Sequence, residues 1–566
     1  MLERAFKVPG ADGLHAAVAK NFRGGLNTFD TPLNLNTKYL IELRNLYPDT
    51  NGRLRLRFGT SLFGDLSPYF TSIIASEYYA GVLIIVGSNG KIVALNAAGA
   101  PTLIWSTAIA ATRSGSPAGW STGLTFASFT QFSGQLVICN GVDKPLICNE
   151  TFTVNYLADA GTGSNVNVPR ARYCTTHNNY LVLAVTPDDT TTLFIGMRGT
   201  AGTFLGDPGV DNDAIDFPTD TYINRGSPDI NGLGSFRDRL VVGYGETILA
   251  LQLGNYVSTK HVPLIEDAIT GYGCISHRCI QSIGDDVFFM DQAGVTSLAR
   301  ATLTQYLTPV RENVLISADM FNALSKFSLT QMSNSVFSLH DRSSQHILFF
   351  VPKSSTVTDT TDNEVFVYCF DKTQKLRAWT RFDNMAYRCG ARSADGRIFL
   401  CSGSNVYYYH NLYEPNYNDY AVTGPQAWSD GTSWDDGTDW NDPAATPPTT
   451  LTGAAIPFAF SLPWSDMHAT AHNKFCKYLL QDVEGDGAYT VEMFIDRLPL
   501  AELSMAFAAT SEPEAVTLGV RPANNEGLYA WSTKFHRMRL RVSGSSNNFI
   551  AFVALGLMFQ TGSMRR

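Results

Sequence analysis

One local pattern recurs along most of this chain and limits what it can fold into: a short apolar strand, a tight polar turn, and a second strand running back. In GVLIIVGSNGKIVALNAAG (81–99), Val82 to Val86 is an apolar, β-branched run, Ser88-Asn89-Gly90 supplies the turn, and Lys91 to Leu95 returns. The Asn-Gly pair predicts a type I′ hairpin turn, in which both central residues take positive φ. The same pattern returns in GQLVICNGVDKPLICN (134–149), NNYLVLAVTPDDTTTLFIGMRG (178–199) and RDRLVVGYGETILALQLGN (237–255). It continues through DDVFFMDQAGVTSLAR (285–300), the hairpin with a long polar loop at 345–382, and DGRIFLCSGSNVYYYH (395–410).

These seven hairpins recur every 45–60 residues or so. An isolated twisted hairpin cannot hide its apolar face, whereas blades of about four strands stacked around an axis bury each other. The expected fold class is therefore mainly β: a β-propeller-like core with an appended C-terminal β-sandwich and few helices. An ordinary pair of β-sandwiches is the alternative, and no WD or kelch signature is present. Composition agrees. Aromatics reach 12% and there are 47 Gly, while charged residues are only 16%, against about 25% in a typical soluble domain. Such a chain favours short strands and tight turns.

Four segments follow: an N-terminal arm and entry strand (1–44), the propeller-like domain (45–410), an Asp/Trp/Pro-rich loop insertion (411–455) and the C-terminal β-sandwich (456–566). The last is read from KFCKYLLQDV, YTVEMFID, FHRMRLRVSG and FIAFVALGLMFQ. In RMRLRV, arginine alternates with apolar residues, as in a half-buried strand, so these arginines are expected on a solvated or interface face. The best helix candidate is 317–329, where Ser317 can cap and Met320, Phe321, Leu324 and Phe327 form an apolar stripe suited to core packing.

Lys and Arg number 42 against 51 Asp and Glu, a net charge of −9. That excludes a chain-wide basic footprint for gripping nucleic acid. The nine cysteines are scattered with no CxxC, so no zinc spacing or disulfide framework is expected, and buried or half-buried thiols in a reducing cytoplasm are. The N-terminal residues lack the apolar run of a cleaved leader. The longest apolar stretch, 549–559, is shorter than the roughly 20 residues a membrane helix needs.

No GxGxxG before a helix, GxxxxGK[ST], HExxH or GxSxG occurs. His468 and His472, with Asp466 beside them, would share one face of a helix and could approach a metal, but there is no third ligand at family spacing; an exposed loop or turn is the preferred reading. Ser433 to Trp440 (SWDDGTDW) resembles the Asp-box of sialidase-type propellers, with Asp439 where Thr is usual. Its alternatives are a calcium site at Asp430, Asp435, Asp436 and Asp439, or Trp428, Trp434 and Trp440 stacking on sugars; the preferred reading is a surface loop whose indoles pack on a neighbouring subunit or on the blades. Asp188-Asp189 and Asp285-Asp286 sit beside strand ends, where paired carboxylates could serve glycoside hydrolysis but are usually turn formers. No catalytic residue, cofactor site or metal site is assigned.

The stretch NLYPDTNGRLRLRFGTSLFGDL (45–66) resembles the opening of tail nozzle and tail hub (tail tubular) proteins of short-tailed, podovirus-type bacteriophages. Further echoes are VPRARYCTTHNNYLVLA (168–184), GSFRDRLVVGYGETILAL (234–251) and SIGDDVFFMDQAGVTSL (282–298), the last placed at a blade edge in that family. The resemblance covers about 40–410 in pattern, and 45–66 reads as an extended strand feeding the first blade. It implies a non-enzymatic virion structural protein: the distal nozzle or hub ring of the tail, a conduit and gate for DNA ejection, assembled in the host cytoplasm. The implied partners are other copies in a homohexameric ring, tail adaptor and tail fibre or spike proteins, the host cell surface, and phage DNA passing without sequence-specific binding. The alternative is a carbohydrate-binding or glycan-degrading propeller tail component. Low charge and abundant aromatics suit interface cores, and an acidic lumen would repel the passing phosphates.

Overall fold

The computed structural model describes residues 6–7, 14–31, 35–36, 38–112, 119–157, 168–204, 214–223, 226–257, 260–284, 286–298, 316–324, 335–352, 363–371, 376–412, 414–419, 454–465, 472–496, 503–509, 517–520, 534–535 and 537–564. Each of the seven hairpins lies in its own group of antiparallel strands, six of them at the middle of a four-stranded meander, and the seven groups make a β-propeller-like ring. Blade one is the meander Ile73–Tyr79, Val82–Gly87, Ile92–Leu95 and Pro101–Trp105. Blades two, three and four open with Ser128–Phe132, Tyr173–His177 and Gly232–Phe236. Blade four ends in Leu264–Thr270, after a small hairpin of Tyr256–Val257 and Lys260–His261. Blade five has three described strands, Gln281–Ile283, Asp286–Asp291 and Gly294–Ser297. Blade six runs from Phe337–Asp341 to Leu376–Phe382. Blade seven contains Cys389–Arg392, Ile398–Ser402 and Asn405–Tyr409.

The continuous apolar runs have a simple cause. Side chains alternate across a strand, and each blade is covered on both faces. In blade one, Leu83 and Ile85 pack with Phe399, Cys401 and Val406 of blade seven. Their neighbours Ile84 and Val86 pack with Leu136, Ile138 and Cys148 of blade two. Similar apolar layers separate blades two and three, three and four, four and five, and six and seven. The eight described cysteines are free and buried; seven of them, Cys139, Cys148, Cys174, Cys274, Cys369, Cys389 and Cys401, sit in these layers as small apolar groups.

The turn in blade one differs from the type I′ expectation. Gly90 has φ 75°, but Asn89 is not in the positive-φ region. The Gly90 amide bonds the Gly87 carbonyl at 3.1 Å, so the turn is closed before a single left-handed glycine. Asn89 is held by donating Nδ2 to the Tyr69 carbonyl at 2.8 Å. A Cβ at Gly90 would stand 2.6 Å from the Ser121 carbonyl oxygen.

The strand expected to feed blade one instead completes blade seven. Thr60–Asp65 is the outermost strand there, antiparallel to Asn405–Tyr409 with Thr60 opposite Tyr409 and Asp65 opposite Asn405. The stretch at 282–298 lies in the three described strands of blade five.

Strand pairing also crosses the boundaries at 44 and 456. One sheet of the sandwich joins Leu14–Ala19, Ile550–Met564, His472–Gly485 and Thr517–Val520, and takes in Leu46–Pro48 and Leu54–Leu56. The other joins Glu42–Arg44, Ala454–Ser461, Met538–Ser546, Gly487–Ile495 and Leu503–Ala509. It continues into blade six, where Arg44 lies opposite Arg381 in parallel register. Between the sheets, the Phe552 ring meets Phe460 at 5.0 Å, Tyr489 at 5.4 Å and Phe458 at 5.6 Å.

Among the described residues the expected helix is short: a 3-10 turn at Ala318–Met320 and one α-turn at Phe321–Leu324. Met320 and Leu324 are buried in the core as the stripe predicts; Phe327 lies outside the described residues. The Ser317 hydroxyl accepts from the Val295 amide at 2.8 Å, tying this turn to blade five.

Phe552→Ala removes the aromatic centre of the sandwich. Its expected cost is about 3–5 kcal/mol of unfolding free energy, checked by denaturant unfolding of the full chain.

Candidate functional site at the propeller axis and its seam

Blades one, two, five, six and seven line a cavity of about 280 Å³ at the axis. Its centre is organised by the segment between blades four and five, where His277–Cys279 form a single 3-10 turn. The Arg278 guanidinium reaches across the axis. Its Nη2 donates to the Ile74 carbonyl of blade one at 3.0 Å and to the Ala127 carbonyl beside blade two at 2.9 Å. The same group lies 4.4 Å over the Phe126 ring, a cation–π contact. His277 accepts at Nδ1 from the Leu233 amide of blade four at 3.1 Å and stacks on Tyr173 of blade three at 5.0 Å. Toward blade six, Ser276 Oγ donates to the Val336 carbonyl at 3.1 Å and Gln281 Nε2 to the Ser338 carbonyl at 2.9 Å. Residues 276–281 thus touch blades on every side and act as a hub.

Other ionisable groups face the same cavity. Glu77 projects from blade one, His340 from blade six and Arg392 from blade seven. Arg392 Nη1 donates to the His340 carbonyl at 3.3 Å. Burial dominates the proton affinities. It pushes the Glu77 carboxyl up to about 7, against the opposing pull of the Tyr78 amide and Arg392. It pushes His277 down to about 4, helped by Arg278 and Arg172, and His340 down to about 4, helped by Arg392 and Arg342. Arg278 falls to about 10, mainly through burial and also through Arg388 and Arg172.

A second polar node joins propeller to sandwich. Arg57 is wholly buried and forms a two-pronged pair with the Asp419 carboxylate, one prong 2.9 Å long. It also donates to Asn45 Oδ1 at 2.9 Å, the Phe58 carbonyl at 2.9 Å and the Asp383 carbonyl at 3.2 Å. Burial lowers its proton affinity, but Asp419 outweighs that and the net shift is upward. Asn45 Nδ2 in turn donates to the Pro457 carbonyl at 2.7 Å. At Gly59 a Cβ would lie 2.1 Å from the Asn418 carbonyl oxygen, so only glycine permits this approach.

Alongside runs a ladder of alternating charge. Arg381 meets Glu364 at 2.8 Å and Asp383 at 3.7 Å; Arg44 meets Asp383 at 3.6 Å and Glu42 at 3.4 Å; Arg541 meets Glu42 at 2.8 Å and Glu492 at 3.0 Å. Two arginines of the RMRLRV strand are therefore placed: Arg541 in this ladder, and Arg539 over the Phe494 ring at 4.2 Å.

Of the sequence candidates, His472 opens a β-strand opposite Met564, so the helical geometry supposed for His468 and His472 does not apply to it. Asp466 and His468 lie outside the described residues, as do Asp285 and the Trp repeat with Asp430, Asp435, Asp436 and Asp439. Asp189 Oδ1 accepts from the Thr191 and Thr192 amides at 2.8 and 3.1 Å, and Asp286 accepts from the Val287 amide at 2.8 Å and from the Ser297 hydroxyl. Both carboxylates serve their own turns. The axial residues Glu77, Arg278, His340 and Arg392 were missed. The available signal was a charge inside an apolar strand, as in IIASEYY.

No family model matches this chain, and no curated protein matches it. Among solved structures, a chain of the mitotic checkpoint complex is similar with TM-score 0.37 and 11% identity, covering 72% of this chain and 99% of that one. A streptogramin B lyase gives 0.35 and 8%, covering 62% and 98%. The computationally designed Ika8 protein gives 0.32 and 11%, covering 62% and 99%.

Asp419→Ala leaves Arg57 buried without a counter-charge, with an expected loss of about 3–5 kcal/mol. Glu492→Gln, at the half-buried end of the ladder, is expected to cost only about 1 kcal/mol; paired denaturant titrations compare the two. Glu77 has a folded proton affinity raised above its ordinary value of 4.5, so its contribution is intact below pH 4.5 and declines as pH rises through about 7. Glu77→Gln is therefore expected to melt higher than the parent at pH 8, with the gap closing by pH 4, in scans across that range.

Proposed function

We propose that this chain is a virion structural protein, the repeating unit of the distal nozzle or hub ring of a short phage tail, acting as a conduit and gate for genome ejection without catalysis. The observation that carries this reading is the placement of exposed apolar side chains. Tyr256, Val262 and Leu264 are exposed at the rim of blade four, and Leu62 and Leu412 at the rim of blade seven. In a ring of seven blades these rims lie on opposite sides. A closed ring of copies needs two different, complementary surfaces on each subunit, and exposed apolar clusters mark such contacts.

Two further features support it. Each propeller axis is crossed by Arg278 and encloses only about 280 Å³, so the genome would pass along a lumen formed between copies. The chain's ends are also locked together, with Leu14–Ala19 paired along Ile550–Met564, which suits a wall under load. In this reading six copies bring six times the net charge of −9, and an acidic lumen keeps DNA from adhering. Tail adaptor proteins would sit on one end of the ring and fibre or spike proteins around it.

Mass photometry of the full chain is expected to find closed rings of about six copies. Leu264→Lys or Leu62→Lys should shift the population to monomers with an unchanged melting temperature. Monomers that release reducing sugar from a glycan would overturn the reading.

A further inference from the structure

The axial cavity contains two guanidinium groups and one carboxylate, none of them in an ion pair. Among the described residues no carboxylate lies within 4.0 Å of Arg278 or Arg392, and no cation lies that close to Glu77. Arg278 uses only Nη2 for its two carbonyl bonds, and among the described residues its Nε and Nη1 have no hydrogen-bond partner. His277 accepts at Nδ1, which places the proton of the neutral ring on Nε2, a further donor at the cavity wall. The enclosed space therefore has an excess of donors and of positive charge. Cations gathered at one half-buried site without a directly paired carboxylate are unfavourable, and Arg388 and Arg172 add to the field at Arg278.

We propose that the propeller axis is a binding site for a small oxyanion of the phosphate or carboxylate class, held between Arg278 and Arg392 with His277 as a neutral donor. Guanidinium groups match the geometry of such anions and form their strongest hydrogen bonds with them. A cavity of about 280 Å³ is just under the roughly 300–1,000 Å³ of organic-ligand pockets, which selects a compact anion over a nucleotide or peptide. Glu77 is the carboxylate that opposes the anion. It faces Arg392 of blade seven, His340 of blade six with Asp341 and Arg342 beside it, and Arg278 and His277 of the hub. The site is complete within one chain, so it stands or falls separately from ring assembly.

The test is calorimetric titration of the full chain with inorganic phosphate and, separately, with succinate, in chloride buffer at pH 6 and pH 8. Saturable binding of at least one anion at one site per chain is expected; for succinate, mainly a dianion at both pH values, it is weaker at pH 8. Arg392→Gln should weaken it by about tenfold or more, and Arg392→Lys by less, because the charge stays while the fork is lost. Glu77→Gln should tighten binding at pH 8 and remove the weakening of succinate binding there. The proposal is overturned if neither anion saturates, or if Arg392→Gln binds like the parent. If Arg392→Gln does not fold, Glu77→Gln decides alone, and unchanged affinity at pH 8 counts against the site.

Discussion

The structure depends on one strand pairing made across most of the chain. Thr60–Asp65 must find Asn405–Tyr409 before the propeller is a ring. Until then blade seven lacks its outer strand. Contacts this distant in sequence form late, because the loop-closure entropy is lost before any contact is gained. The payoff is cooperative. Once closed, the blades cover one another's faces with apolar layers.

The rest of the N-terminal sixty residues extend that closure into the sandwich. Arg57 stands three residues before the closing strand and anchors it to Asp419 and Asn45. Leu14–Ala19, Glu42–Arg44 and Leu54–Leu56 then enter the two sandwich sheets beside C-terminal strands. The propeller is in effect an insertion into the sandwich, and the charge ladder from Glu364 to Glu492 runs along the joint. At the axis a different device operates. The hub at 276–281 holds the inner strands together with polar bonds. The cavity there is lined by Arg278 and Arg392 although the chain as a whole is acidic.

The fold was more legible than the site. All seven hairpins form, each within its own blade, because strand alternation, β-branched runs and turn residues are local properties. Ser317, Met320 and Leu324 likewise mark a turn where the pattern placed a helix. The axial residues were not legible. Nothing near Arg278 in sequence distinguishes it from a surface arginine, since Ile74 and Ala127, which receive its hydrogen bonds, come from two other blades. Glu77 stands out locally only as a charge inside the apolar strand IIASEYY, which does not say what faces it across the fold.

What the sequence by itself determined is the inventory: mainly β structure, a regular series of hairpins, a strand-rich C-terminal region, and no chain-wide basic surface. Each follows from interactions spanning a few residues, which the order of amino acids specifies directly. The tertiary structure alone decided that the N-terminal segment closes the last blade, that the sandwich is assembled from both ends of the chain, and that unpaired arginines meet at the axis. Those outcomes rest on pairings between segments hundreds of residues apart, and their free energy comes from shared burial and hydrogen-bond geometry that exists only once the blades are in place.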